Sequence, residues 1–423
     1  MHLAVVGSGP SGLFAAKEAL RDPAVAVDVI ERLPTPFGLV RYGVAPDHHR
    51  VRAVTGTLGA VFDDPRARFL GNVTVGRDVS PVDLRRAYDA VVVATGAPHA
   101  RRLGVPGEDL PGSYAAGDLV SWYNGHPEAG NPFGVAAREV AVIGAGNVAL
   151  DIARVLLKGG AGLADTDVPD AVRAALDERP VERVHVVARR GLSDVRFSLP
   201  ELLELDRLPG VEPVVDPTAL PAEPSPDRVT EARNAVFRTW AAPGRTGRLR
   251  LHVHRRPVAV LGADRVTGLR LAGPDGAQAE LGVQAVVRAV GYHAEALPGL
   301  PFDADRGLVP HEGGRADRGL YVTGWLKRGP SGVIGANKAC ALQTVRTLLA
   351  DAAAGRLDAP EPGLRERLVA GLADRADRLR RPVGWAGWTA IDRAEIALGT
   401  RGGRARTKIT ELRELLELAT TTD

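Results

Sequence analysis

The sequence predicts an α/β fold made of two doubly wound domains, one inserted into the other. Three observations predict this fold. A Gly-rich turn joins a buried strand to a helix near the first residue, the same pattern returns from residue 139, and short buried strands that end in Gly occur at residues 89–96 and 319–324. Strand, turn, helix and strand in this order are typical of a parallel sheet with crossover helices.

Composition and charge exclude several classes of protein. The 423 residues are 45% hydrophobic and 25% charged, which excludes a disordered or fibrous chain. Lys plus Arg number 54 against 51 for Asp plus Glu, so we expect neither nucleic acid nor a membrane as a partner. Every apolar run is interrupted before it reaches the roughly 20 residues that span a bilayer.

Cys340 is the single cysteine of the chain. It cannot form an internal disulfide or a dithiol pair, and it cannot hold an iron–sulfur cluster or a structural zinc ion unaided. The first six residues already read as a buried strand, which leaves no room for a signal peptide. We therefore expect a protein of the reducing cytoplasm, and we predict no metal site.

The first Gly-rich turn has the G-x-G-x-x-G spacing of a dinucleotide-binding Rossmann domain. Gly7 permits a tight turn, Gly9 lets the backbone approach a pyrophosphate, and Gly12 lets the following helix pack closely on the strand. Pro10 stands between them at the start of that helix. Glu31 follows nineteen residues after Gly12, at the end of the next strand, where a carboxylate accepts the two hydroxyls of an adenosine ribose.

The second Gly-rich turn is formed by Gly144, Gly146, Asn147 and Val148, and Ala149 occupies its third glycine position. The strand that follows ends in Arg189 and Arg190, where the first copy ends in an acid. An acid repels a ribose 2′-phosphate, whereas paired guanidinium groups donate to it. We therefore predict that the second turn binds NADP(H) and that the first binds an unphosphorylated adenosine, such as that of FAD.

The remaining patterns suggest how the domains are divided. The strand ends near Gly96 and Gly324 are typical of flavoprotein reductases with two nucleotide-binding domains. We predict an FAD domain in two parts, residues 1–103 and 318–423, with an NADP domain at residues 104–317 between them. Residues 209–256 read as short strands and a loop, and residues 409–419 read as a final helix.

Together these motifs resemble the adrenodoxin-reductase-like family of ferredoxin–NADP reductases, whose bacterial members are cytoplasmic FAD enzymes. Besides the two turns, the matching segments are residues 34–48, 105–112, 122–125, 146–151 and 324–334. The resemblance covers nearly the whole chain and implies a glutathione-reductase-like arrangement of two Rossmann domains. It also implies hydride transfer from NADPH to FAD, followed by transfer of single electrons to a ferredoxin.

The resemblance assigns residues to both cofactors. In the family, the positions of Glu31, Leu39 and Val75 line the FAD. The segment that contains Trp325 closes over the flavin ring together with the residues that match Gly332, Val333 and Ile334.

Three residues match positions that the family places near the nicotinamide. His48 and Asp151 match a pair that is linked through water, and Glu201 matches an acid that contacts the nicotinamide amide and acts as a gate. Pro200 departs from the family, whose members often carry Lys there, which puts the gating motion in doubt. The three residues are our candidates for the catalytic site.

The partner implied by the resemblance is a small acidic iron–sulfur protein of the ferredoxin class, bound by a monomeric enzyme. An acidic partner needs a locally basic surface. The candidates are Arg233, Arg238, Arg245, Arg248 and Arg250, in a segment that resembles the partner-facing part of the family. A charged strand face without a partner explains the same residues.

Several other functions compete with this hypothesis. A disulfide reductase of the thioredoxin reductase type needs a dithiol, and a glutamate-synthase small subunit needs several cluster-binding cysteines, so Cys340 alone disfavours both. An NADPH-dependent flavin monooxygenase stays open, because oxygen activation leaves little trace in a sequence. A non-catalytic flavoprotein that signals through a partner also stays open.

Overall fold

The computed structural model describes residues 1–132, 137–245, 247–295, 297–332 and 334–420. The chain divides into two compact units. The first unit comprises Met1–Val44, His48–His99 and Tyr292–Asp423, and the second comprises Ala45–Asp47 and Ala100–Gly291.

The strands are numbered in chain order over both units. They are β1 (His2–Val6), β2 (Ala26–Ile30), β3 (Ala67–Leu70), β4 (Ala90–Val93), β5 (His99–Ala100), β6 (Ser113–Ala115), β7 (Glu139–Ile143), β8 (Arg183–Val187), β9 (Val214–Val215), β10 (Leu249–His252), β11 (Arg256–Leu261), β12 (Gly268–Ala272), β13 (Gln278–Leu281), β14 (Ala285–Arg288), β15 (Tyr292–His293), β16 (Arg315–Asp317) and β17 (Leu320–Val322).

The α-helices are numbered in the same way. They are α1 (Pro10–Ala19), α2 (Leu39–Tyr42), α3 (His49–Arg52), α4 (Val54–Gly59), α5 (Pro81–Ala87), α6 (Ala116–Tyr123), α7 (Asn147–Lys158), α8 (Asp170–Glu178), α9 (Leu199–Asp206), α10 (Arg228–Trp240), α11 (Trp325–Arg328), α12 (Ile334–Ala353), α13 (Leu364–Ala373), α14 (Trp385–Arg401) and α15 (Leu412–Thr420). Among the described residues, no helix combines the length and the apolar character that crossing a bilayer requires.

The sheet of the first unit has the strand order β16-β17-β4-β1-β2-β3. Its strands are parallel except for β16, which pairs antiparallel with β17. Strand β1 lies between β2 and β4, and Val6 is in register with both Ile30 and Val93. The short strands are runs of buried aliphatic residues because helices cover both faces of a parallel sheet. The carboxyl ends of β1, β2, β4 and β17 therefore meet at one edge.

The sheet of the second unit has the order β6-β14-β7-β8-β10-β9, and its pairs are parallel. Strand β7 lies between β14 and β8, so the carboxyl ends of these three strands share one edge. A three-stranded antiparallel sheet, β11-β12-β13, packs its apolar residues into a cluster with β7 and β14. Two parallel-stranded sheets in separate units confirm the predicted α/β fold with two Rossmann-like domains.

The division into units differs from the boundaries expected after residues 103 and 317. The second segment of the first unit ends at His99, and the third begins at Tyr292. The physical reason is that Ala294 and Val309 are buried in the same apolar cluster as Val322 of β17. The chain therefore returns to the first core well before β17.

One local prediction is wrong, and the predicted final helix is confirmed with a later start. The segment expected to contain strands and a loop includes the helix α10, whose N-cap Asp227 accepts a hydrogen bond from the Thr230 N–H at 2.8 Å. Trp240 at its end is fully buried in the core. The final helix starts at Leu412, and Ile409 lies before it as a buried residue that donates from its N–H to Glu395.

Candidate functional site

The first Gly-rich turn lies at the carboxyl edge of its sheet and meets the steric requirements of a phosphate-binding turn. Gly7 has a φ of 104°, and a Cβ there would lie 2.7 Å from the Ala94 carbonyl oxygen. A Cβ at Gly12 would lie 1.9 Å from the Gly7 carbonyl oxygen. A Cβ at Gly9, in contrast, would meet no described atom within 4 Å. Gly7 and Gly12 are required by packing, whereas Gly9 faces open space at the start of α1.

Pro10 is the first residue of α1, where a missing N–H costs no helical hydrogen bond. The first turn of an α-helix leaves its N–H groups without helical acceptors and carries the positive end of the helix dipole. The open face at Gly9 therefore suits an anion such as the pyrophosphate of a dinucleotide.

Glu31 follows β2 and is held beside the Gly-rich turn. Its Oε2 accepts hydrogen bonds from the N–H and the hydroxyl of Ser8, at 2.9 and 2.7 Å. Its Oε1 accepts from the Leu33 N–H at 3.2 Å. These bonds orient the carboxylate at the carboxyl edge of the sheet, as the sequence predicts for an acid that binds a ribose.

Three other predicted residues belong to the same unit. Leu39 is 50% exposed at the start of α2. Gly96 follows β4 with a φ of 80°, and a Cβ there would meet no described atom within 4 Å. Val75 packs against the core and lines a small apolar cavity with Val6 and Val93.

The predicted ring-covering segment begins at Trp325, the first residue of α11. Its indole stacks on Tyr292, with ring centroids 6.2 Å apart. Gly332 has a φ of 82°, and Ile334 begins α12. Val333, also predicted to cover the flavin ring, lies outside the described residues.

The sequence analysis missed Asn337, which is buried in the first turn of α12. Its Oδ1 accepts from the Ser11 hydroxyl of α1 at 2.9 Å and from Arg328 Nη2 at 2.6 Å. The side chain thus joins the starts of α1 and α12 to the end of α11. No local pattern marks this asparagine, because its partners come from distant parts of the chain.

The second Gly-rich turn meets the same steric requirements at its first two glycines as the first turn. The Gly144 N–H donates to the Val187 carbonyl at 2.9 Å, and a Cβ at Gly144 would lie 2.5 Å from the Ala289 carbonyl oxygen. A Cβ at Gly146 would meet no described atom within 4 Å. Asn147 Oδ1 accepts from the Ser198 N–H at 2.8 Å, and Val148 is exposed at the start of α7. This turn is also open to an anion.

Arg189 and Arg190 follow β8, at the same edge of the sheet as the second turn. Both side chains are exposed. Their placement matches that of Glu31 in the first unit, at the end of the second strand of the motif. A 2′-phosphate at this position would receive the forked donors of a guanidinium group.

Arg154, in the middle of α7, is the main site residue that the sequence analysis missed. Its guanidinium is fully buried and is within 2.9 Å of the carboxylates of Asp47, Asp151 and Glu201. Glu204 lies farther away, at 3.6 Å. Two of the three candidate catalytic residues therefore share one cation. The only local sign of this residue's role is that an arginine stands among apolar residues in the sequence of α7.

Charge pairing controls protonation in this cluster. Burial by itself would lower the pKa of Arg154, but the hydrogen bond to Asp47 and the surrounding carboxylates raise it above its ordinary value. Burial would raise the pKa of Asp47, but hydrogen bonds and charge from Arg154 and Lys158 hold it well below its usual range. Both groups are therefore charged at neutral pH.

Glu201 is the third residue of α9, and Pro200 is the second. Proline is well tolerated in the first turn of a helix, and an acid there is stabilised by the helix dipole. Pro200 thus fits the helix start that presents Glu201 to Arg154. His48 is the N-cap of α3 and belongs to the first unit, whereas Asp151 and Glu201 belong to the second.

Most of the candidate docking arginines have partners within the second unit. Arg233, Arg245 and Arg248 donate to main-chain carbonyl groups, and Arg238 pairs with a glutamate of its own helix at 2.8 Å. Arg250 is exposed on β10. The structure thus gives the first three a structural role, and the docking surface stays a prediction.

Both units fit dinucleotides. In each, the first glycine of the turn excludes a Cβ and the second leaves open space, at the carboxyl edge of the sheet. The side chains at the two strand ends differ in charge, which suits two different adenosine groups. Glu31 fits a ribose with free hydroxyls, and the Arg189–Arg190 pair fits a 2′-phosphate.

Known proteins resemble the chain over its full length. Residues 1–192 match the family model described as pyridine nucleotide-disulphide oxidoreductase. NADPH-ferredoxin reductase FprA of Mycobacterium leprae is 41% identical over 99% of this chain and 98% of its own length. The mitochondrial NADPH:adrenodoxin oxidoreductase of Homo sapiens is 38% identical over 99% of this chain and 91% of its own length.

Solved structures show the same similarity. Mycobacterium tuberculosis FprA in complex with NADPH superposes with a TM-score of 0.93 at 39% identity, covering 99% of both chains. Thioredoxin reductase of T. acidophilum superposes with a TM-score of 0.52 at 15% identity, covering 83% of this chain and 98% of the other. The second similarity concerns the fold alone.

Proposed function

The chain belongs to the adrenodoxin-reductase-like family of ferredoxin–NADP reductases, and from this premise we propose that it passes a hydride from NADPH to FAD and then single electrons to a ferredoxin-type protein. The single observation that carries the proposal is the pair of Gly-rich turns that differ at the end of the following strand. Glu31 follows the strand after the first turn, and Arg189 and Arg190 follow the strand after the second. When bound, FAD supplies the conversion between two-electron and one-electron transfer.

We assign FAD to the first unit. The backbone around Gly7, Gly9 and Pro10 would hold the pyrophosphate, with Gly12 keeping α1 close to the sheet. Glu31 would accept the ribose hydroxyls. Leu39, Val75 and Gly96 would line the cofactor, and Trp325, Gly332, Val333 and Ile334 would cover the flavin ring. The open face at Gly9 supports this assignment.

We assign NADP(H) to the second unit. The backbone at Gly144, Gly146, Asn147 and Val148 would hold the pyrophosphate, and Arg189 and Arg190 would donate to the 2′-phosphate. Each charge-assisted hydrogen bond contributes about 1.5 to 3 kcal/mol, which is enough to favour NADPH strongly over NADH.

The proposal gives His48, Asp151 and Glu201 roles at the nicotinamide. Glu201 would accept a hydrogen bond from the carboxamide group, and Asp151 and His48 would each help to move protons. Arg154 acts on the two acids as a positioning residue, because its fixed fork donates to both. Their two carboxylates are thereby oriented before substrate arrives.

The partner is proposed to be a small acidic ferredoxin that docks on a monomer. The exposed Arg250 is one cation available for such docking. We also propose a reducing cytoplasmic compartment, since Cys340 is the only cysteine in the sequence and has no partner for an internal disulfide.

Anaerobic titration of the purified flavoprotein with NADPH tests the reaction. We expect stoichiometric bleaching of the flavin absorbance by NADPH at concentrations where NADH has little effect. Cytochrome c reduction should become rapid only when a ferredoxin of the host is added. A flavin that NADPH cannot bleach indicates a non-catalytic flavoprotein, and a long-lived oxygen adduct after mixing with air indicates a monooxygenase.

A further inference from the structure

The segment between β8 and α9 places one more arginine at the second Gly-rich turn. Val195, Arg196 and Phe197 run in extended backbone after a short helical turn, and their burial alternates. Val195 and Phe197 are buried in the core at 2% and 1% exposure, whereas Arg196 is exposed. In extended backbone successive side chains point to opposite sides, so Arg196 points away from the core.

This segment pairs directly with the turn. The Arg196 N–H donates to the Ala145 carbonyl at 2.7 Å, and Arg196 forms a parallel bridge with Gly146. Two residues farther on, the Ser198 N–H donates to Asn147 Oδ1 at 2.8 Å. These contacts fix the Cα of Arg196 beside Gly146, where the missing side chain leaves the second Gly-rich turn open.

The segment is also held from its other side. Arg233 of α10 donates to the carbonyl groups of Val195 and Phe197, at 2.5 and 3.3 Å. Both carbonyls flank Arg196, so the backbone of this residue is tethered on two sides. The position of its Cβ is consequently set by the fold and not by a mobile loop.

The Arg196 guanidinium is available for a ligand. Among the described residues it has no hydrogen-bond or ion-pair partner, although an acid of the same segment, Asp194, lies two residues earlier. The Gly-rich turn itself offers backbone N–H groups and the dipole of α7, which bind an anion without a full charge. A guanidinium at this point adds a full positive charge and forked donors.

We propose that Arg196 binds the pyrophosphate of NADP(H), as a further affinity-determining residue of the second unit. The inference rests on the proposed function, since it requires that this unit holds the nicotinamide dinucleotide. Arg189 and Arg190 distinguish NADPH from NADH through the 2′-phosphate. Arg196, beside Gly146, contacts a group that both coenzymes carry, so it raises affinity without contributing to selectivity.

The test is isothermal titration calorimetry, in which the FAD-loaded protein and its Arg196→Ala variant are each titrated with three ligands. NADP⁺ carries both phosphate groups, ADP-ribose carries only the pyrophosphate, and adenosine 2′-monophosphate carries only the 2′-phosphate. We expect Arg196→Ala to weaken NADP⁺ and ADP-ribose by about 10-fold or more, the loss of one charge-assisted bond, and to leave adenosine 2′-monophosphate unchanged. Arg196→Lys should lose less affinity for these two ligands, because it keeps the positive charge although it lacks the paired donors of a guanidinium group.

Arg207→Ala is the matched control, because Arg207 is an exposed arginine at the opposite end of α9. It should bind all three ligands like the parent protein. Thermal unfolding should show no change for either alanine variant, since both side chains are exposed and the core is untouched.

Three outcomes would overturn the inference. If Arg196→Ala binds ADP-ribose as tightly as the parent protein, Arg196 does not contact the pyrophosphate. If the variant loses only its affinity for adenosine 2′-monophosphate, Arg196 contacts the 2′-phosphate instead. A parent protein that binds neither NADP⁺ nor ADP-ribose overturns the proposed function itself. The first two outcomes leave that function intact, so the two failures are distinguishable.

Discussion

Arg154 donates from its Nη1 to the Glu201 carboxylate at 2.7 Å, across 47 residues of sequence. The same guanidinium bonds Asp151, one helical turn earlier in α7. A fully buried arginine needs carboxylate partners to offset its desolvation. The cation is therefore both a structural requirement of the second unit and the group that orients two candidate catalytic acids.

Replacing Arg154 by Met should destabilise the second unit by about 3–5 kcal/mol, because it leaves three partly buried carboxylates without their cation. Chemical denaturation followed by circular dichroism measures the loss. Arg238→Met is the matched control, since Arg238 pairs with Glu231 at 2.8 Å but is partly exposed. Its effect should be far smaller. Equal losses for both variants would show that burial of Arg154 is not the cause.

A pair of stacked histidines predicts a pH effect on stability. His185 Nδ1 and His252 Nε2 are 3.0 Å apart in the second sheet, and His185 also contacts Glu139 at 2.9 Å. Burial, followed by the charges of His185, Arg250 and Arg255, lowers the pKa of His252 to about 4. Burial also lowers the pKa of His185, although Glu139 opposes the shift.

The sign of this effect follows from linkage. Between pH 6.5 and about 4 the unfolded chain binds a proton at residue 252 that the folded protein does not, so stability falls as pH falls through this window. The maximum contribution is on the order of 3 kcal/mol. His252→Gln should flatten the fall in unfolding free energy between pH 7 and pH 4. A slope identical to that of the parent protein would contradict the prediction.

Substitutions at two glycines near the start of α1, Gly9 and Gly12, should separate an effect on folding from an effect on cofactor binding. In Gly12→Ala the new methyl group would lie 1.9 Å from a carbonyl oxygen, so we expect poorly folded protein. Gly9 has an ordinary φ of −69° and open space around its Cβ position, so Gly9→Ala should fold normally. Its methyl group should nevertheless obstruct the pyrophosphate and weaken FAD binding by about 10-fold or more.

Flavin content after purification and release of flavin fluorescence on dilution measure this difference. Circular dichroism provides the control for folding. If Gly9→Ala retains FAD as tightly as the parent protein, the first turn does not hold the pyrophosphate as proposed.

Replacing Arg189 and Arg190 together by Gln should lower the selectivity for NADPH over NADH by about 100-fold or more, because two charge-assisted bonds to the 2′-phosphate are lost. Binding titrations with both coenzymes measure the ratio, and Arg207→Gln serves as the control. An equal weakening of NADPH and NADH would place the two arginines away from the 2′-phosphate.

Much of the fold could be predicted because its signals are local. The glycines of each turn, the buried Val-rich strands and the charges at residues 31, 189 and 190 lie within short segments, and the structure has a parallel sheet around each turn. Helix α10 escaped prediction because its Pro- and Asp-rich flank concealed the apolar spacing of Val236, Phe237 and Trp240.

The sequence by itself determined the two Gly-rich turns and the opposite charges of the side chains at the ends of the following strands. Steric demands on glycine and the charge at a strand end both act within a few residues. Only the tertiary structure decided which side chains surround Arg154 and which backbone lies beside Gly146. Asp47, Glu201 and Arg196 reach α7 and its preceding turn from separate segments. Burying a charge requires partners wherever the fold can bring them, and no local pattern encodes that choice.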